Sequence, residues 1–244
     1  MEPEKNEEPE DDDPPLVPPT LDRVIRRAHC LSALVCRSFI DEPDNDECKK
    51  LQSRIKTWLA EVGAEVELEL WEADCLNAEL GTLDPQVRVN ATWTSEGLAV
   101  LAWALDLFDL PSHDECADPQ EVSAAFDFLH PEAADLHTEG QLKSPEEIEA
   151  ATSRAFAIHW RLRQFSLSNA PLNFAEFAKT AWFGPLNIEN IALRENDLAL
   201  GEEPIAKAPA DILRLATSIA MERHKAFNWL QGYAEIYSEV DTNT

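Results

Sequence analysis

PADILRLATSIAMERHKAFNWLQGY, residues 209–233, carries the pattern that sets the fold class. At about 100° per residue, Ile212, Leu215, Ala216, Ile219, Ala226, Phe227 and Leu230 share one face, the apolar stripe of an amphipathic helix. Arg223 falls among them. A guanidinium keeps its proton in a protein, so burial on that face requires an acidic partner from another segment. The stretch therefore predicts a helical domain with ionic groups in its interior.

The rest of the chain follows the same period. Thr20 reads as an N-cap opening a helix to about Ile40, with Val24, Ala28, Leu31, Val35 and Phe39 inward and Arg23, Arg26 and Arg37 elsewhere. A second helix, about 45–62, carries Leu51, Ile55, Trp58 and Leu59 and stops at Gly63. Residues 65–70 alternate like a strand, yet glutamate is a poor strand former, and the reading favours helix through Leu76. Thr92 to Asp109 predicts a central helix, apolar almost all round. Asp118-Pro119 opens a helix to Leu129. Ser144-Pro145-Glu146-Glu147 is a capping box with proline at the first helical position, starting a long helix to about Leu167. Asn173 to Trp182 reads as a short helix, and 197–205 as one minor β-hairpin. The expected fold class is mainly α: a single compact multi-helix domain over residues 20–244. Residues 1–19, acidic and proline-rich, are expected to be a disordered tail, because they hold too little apolar area to offset their ordering entropy.

Charge narrows the partners. The formal net charge is −27, of which residues 1–19 contribute −7 from eight acids and one lysine, so the folded part is acidic too. Such a surface repels phosphate backbones and anionic membranes, which argues against both as partners. The longest apolar stretch, Gly97 to Leu105, is far below the roughly 20 residues that span a bilayer. Five cysteines (30, 36, 48, 75, 116) show neither a CxxC pair nor zinc-type spacing and read as reduced. With no apolar leader at the N-terminus, a cytoplasmic location is expected.

Chemistry is sparse. Glu96 sits one turn before Val100 and two before Trp103, a second charge on an apolar face and of the sign that Arg223 requires. The two are predicted to meet, directly or through one intermediary. On the capping-box helix, His159 and Arg163 occupy the strip between the face of Ile158, Leu162 and Phe165 and the face of Phe156 and Trp160. Glu222, His224 and Asn228 flank the Arg223 stripe and complete a candidate polar seam. That seam reads either as a network ordering helix packing, or as a pocket where arginines and histidines bind an anion or Glu96 and a histidine exchange protons. Glu-x-x-His, HExxH, a phosphate-cradling loop and G-x-S-x-G are all missing. His113 and Cys116, with Asp114 and Glu115 and help from His130 or His137, are a weak zinc set on irregular segments. No metal and no cofactor are expected.

Trp93-Thr94-Ser95-Glu96, Ala102-Trp103-Ala104-Leu105, His159-Trp160-Arg161-Leu162-Arg163, Glu222-Arg223-His224, Asn228-Trp229-Leu230 and Asp241-Thr242 occur in an order that resembles a largely bacterial family known as domain of unknown function 4272. The resemblance covers about residues 21–244. Members of that family often carry Arg and Ala where this chain has Thr94 and Gly97. The resemblance implies a helical bacterial protein of this length and brings with it no activity, substrate or cofactor. Two functions are expected on these grounds. One is a non-enzymatic interaction module for a basic partner; the other is an enzyme or anionic small-molecule binder using the seam.

Overall fold

The computed structural model describes residues 17–244. The tail expected to be disordered thus lies mostly outside the described residues. Of it, Val17 and Pro18 run against Gly232, whose φ of 83° and lack of a side chain admit their backbone.

Nine α-helices lie among the described residues: α1 Leu21–Phe39, α2 Asp46–Glu61, α3 Leu70–Asn77, α4 Pro85–Ala104, α5 Pro119–Ala125, α6 Leu136–Glu139, α7 Pro145–Ser168, α8 Phe174–Thr180 and α9 Ala210–Leu230. Their starts follow local chemistry. Thr20 Oγ1 accepts from Arg23 N, Asn45 caps α2, and Ser144 and Glu147 form a reciprocal capping box ahead of α7. The helix expected through Leu76 comes in two pieces, a 3-10 turn (Ala64–Glu67) and α3, with Leu68 and Glu69 extended between them.

Several boundaries differ from the periodicity. The central helix begins at Pro85, not Thr92, because Asp84 Oδ1 accepts from Gln86 N at 2.8 Å and Val87 N at 3.3 Å. It ends at Ala104, where Asp106 turns left-handed (φ 60°). The helix after Asp118 stops at Ala125 for the same reason, with Asp127 and Leu129 at positive φ. In α1 every residue from Val24 to Val35 except Arg26 is buried, and so is Arg37, whereas Phe39 is 58% exposed. The stripe understated that burial.

Three short strands, β1 Leu193–Arg194, β2 Asp197–Leu200 and β3 Glu203–Pro204, form an antiparallel sheet in that order. The expected hairpin is the β2–β3 pair, Ala199 opposite Pro204. β1 joins it through a two-residue turn, Glu195-Asn196, both at positive φ as a tight hairpin turn demands.

α4 lies between α1 and α9, and α9 packs in turn on α7. Two apolar clusters result. The larger joins α1, α2 and α4 to the start of α7 and the end of α9, through residues such as Leu31, Trp58, Leu98, Ala151 and Phe227. The smaller gathers Leu162, Phe165, Phe174, Leu198, Ile205 and Ala216 around the sheet. α7 and α9 run through both. No helix among the described residues is long and apolar enough to cross a membrane.

Candidate functional site

Glu96 on α4 and Arg223 on α9 meet directly, Arg223 Nε donating to Glu96 Oε2 at 2.8 Å. The remaining donors go to a loop: Nη1 to the carbonyls of Pro111 (2.9 Å) and Ser112 (3.0 Å), Nη2 to that of Glu115 (2.7 Å). Glu96 Oε1 accepts from Ala117 N at 2.9 Å. Four of the five guanidinium N–H groups and both carboxylate oxygens are thus committed to protein. The pair is a clamp holding the 111–117 loop over the α4–α9 contact. Losing one partner costs about 3–5 kcal/mol, because the other charge stays buried and alone.

The rest of the expected seam does not form one constellation. His159 Nδ1 and His224 Nδ1 lie 3.0 Å apart, so one nitrogen donates and the other accepts. Burial pulls both rings down to about 4, helped by the Arg163 charge at His159 and by His159 at His224. Arg163 itself is exposed. Asn228 Nδ2 donates to the Asp241 carbonyl at 3.0 Å and ties down the C-terminal segment. Glu222 turns elsewhere, its Oε2 buried without a partner and its carboxyl pushed up by that burial. The sequence motifs therefore pair off in space as Glu96 with Arg223, His159 with His224, and Asn228 with Asp241. Of the weak zinc set, His113 Nε2 lies 2.7 Å from the Ala199 carbonyl and His137 Nδ1 2.6 Å from Asp22 Oδ1.

Three further buried arginines escaped the sequence reading. Arg27 pairs with Glu72 and donates to the Glu67 carbonyl. Arg37 holds the carbonyls of Ile40, Ala78 and Glu79. Arg161 forks onto Asp197 at 2.7 and 2.6 Å and fastens β2 to α7. The signal was present: Arg27 is three residues after Val24, and Arg161 three after Ile158, each inside an apolar stripe as Arg223 is.

Two cavities lie along the α7–α9 contact. The first, of about 340 Å³, has apolar walls that include Trp103, Leu110, Ile158, Ile219 and Phe227, with Arg154 and Arg223 among its polar groups. Arg154 makes no hydrogen bond or ion pair with any described residue. Its position four residues before Ile158 could have marked it. The second, of about 480 Å³, is lined by Phe156, Phe183, Tyr233, His224, Asn228 and Asp241 among others, and by no lysine or arginine.

Fold and site together define a mainly helical, strongly acidic protein with ion pairs in its interior and two cavities beside its longest helix pair. The chain belongs to the family described as domain of unknown function (DUF4272), which matches residues 4–175. Glu96 and His159 fall within the matched part and their partners Arg223 and His224 beyond it. No curated protein and no solved structure matches the chain.

Proposed function

We propose that this protein binds an amphipathic anion in the cavity between α4, α7 and α9. The observation that carries the reading is Arg154. In a chain with 47 acids against 20 lysines and arginines, a guanidinium with no acidic partner among the described residues stands beside an apolar cavity. At about 340 Å³ the cavity is within the range that small ligands fill. A carboxylate or phosphate head on Arg154 with an apolar tail along Ile158, Ile219 and Phe227 satisfies both halves. Arg223 lines the same space but is largely spent on the clamp, so Arg154 is the recognition group.

The test is thermal stability with decanoate, decanol and decylamine at equal concentration. Decanoate is expected to raise the unfolding temperature of the wild type well above the effect of decanol, and Arg154→Gln to erase that difference. Equal shifts from decanoate in the wild type and in Arg154→Gln would sink the reading.

A second reading is an interaction module for a basic partner. Burial favours it: four arginines but only three acids (Glu72, Glu96 and Asp197) are buried among the described residues. Folding thus hides cations preferentially and leaves the outward face still more negative, which steers a cationic surface toward it.

A further inference from the structure

We propose that the second cavity along α7 and α9 seats a basic side chain from a partner protein. This deepens the interaction-module reading and rests on it for the sign of the partner's charge. Three aromatic residues, Phe156, Phe183 and Tyr233, line this cavity together with Asp241. At its edge Trp182 is 90% exposed, its ring 5.3 Å from that of Phe183 and perpendicular to it. Tyr233 is more than half exposed as well. A tryptophan left in water beside other aromatics is the kind of residue that anchors interfaces, and aromatic faces attract ammonium and guanidinium groups.

The two cavities differ in charge. The first holds two arginines; the second holds none, and no lysine. Its one histidine, His224, is already engaged by His159 through Nδ1, and at neutral pH the ring does not oppose a cation. Asp241 spends its side-chain oxygens on the nearby exposed Asn243 and faces solvent, so an arriving guanidinium or ammonium meets the carboxylate without unburying it. A net charge of −27 draws such a partner in.

The full chain is titrated at low salt into a fluorescein-labelled peptide of alternating arginine and glycine, with a glutamate–glycine peptide of equal length beside it, and anisotropy is read. Trp182→Ala leaves the core untouched, and Asp241→Asn keeps the backbone carbonyl that Asn228 holds. Each is expected to weaken arginine-peptide binding about tenfold. Asp44→Asn, the same loss of charge at an exposed loop position outside the cavity lining, is expected to weaken it less than twofold. If all three variants lose the same small amount, attraction is diffuse: the seat falls while the acidic-surface reading stands. If no arginine peptide binds, or the glutamate peptide binds as well, both fall.

Discussion

Burying a charged or titratable side chain is tolerable only where its polar atoms find partners, and this protein contains both outcomes. Arg223 and Glu96 are fully engaged, so their charge is kept. His29 is the opposite case. It is buried in α1 with neither ring nitrogen partnered, edge-on to Trp58 at 4.9 Å, and burial pushes it down to about 3 with His137 adding to the effect. Its folded-state value lies below the unfolded value near 6.5, so as pH falls between the two the unfolded chain takes up a proton that the native state refuses. Stability from His29 is therefore present above about pH 6.5 and lost on the way down to 3; His159 and His224 add to the loss down to about 4. His29→Phe keeps the ring against Trp58 and Phe126 and removes one of the three groups. Urea unfolding at pH 6 and pH 5 is expected to show a slope shallower by roughly 1 kcal/mol per pH unit in the variant. An unchanged slope would refute this account. Arg223 was legible in the sequence because its stripe is long and unambiguous; the orphaned nitrogens of His29 were not, since no periodicity reports a missing partner.

Between elements, one glycine sets the approach. Gly97 lies on α4 where the Tyr237 hydroxyl of the C-terminal segment comes down on the helix, and a methyl group there would overlap that oxygen. Tyr237 is buried with its hydroxyl unpartnered, under Arg27 at 5.4 Å and Lys225 at 4.9 Å from the ring centre. An alanine mid-helix normally gains about 1 kcal/mol over glycine. Forcing a methyl into a packed contact costs about 1–3 kcal/mol, so the contact should win. Gly97→Ala is expected to destabilise the protein in denaturant titrations, and the same change made in the Tyr237→Phe background to stabilise it. Stabilisation in both backgrounds would show that the contact yields.

A net charge of −27 acts on the protein as one object, because charges within about 10 Å of one another repel at 0.1 M salt. The buried pairs Arg223–Glu96, Arg27–Glu72 and Arg161–Asp197 are sheltered from salt, while the outward acids are not. Raising sodium chloride from 20 to 300 mM is therefore expected to raise the unfolding temperature; a fall would mean that surface pairing outweighs self-repulsion. Helix starts, the buried Arg223 and the acid sign of the surface were readable from the chain because each depends on neighbours within a turn or two, or on composition. Where α4 truly begins was readable too, from Asp84-Pro85, but the apolar run from Leu98 drowned it. What the linear order could not supply is which distant groups converge: that the partner of Arg223 is a loop as well as Glu96, that His159 finds His224, and that Arg154 and Asp241 end beside different cavities of opposite charge. Those depend on how α7 and α9 cross two apolar clusters, and that crossing is settled by side-chain volumes from segments far apart in sequence.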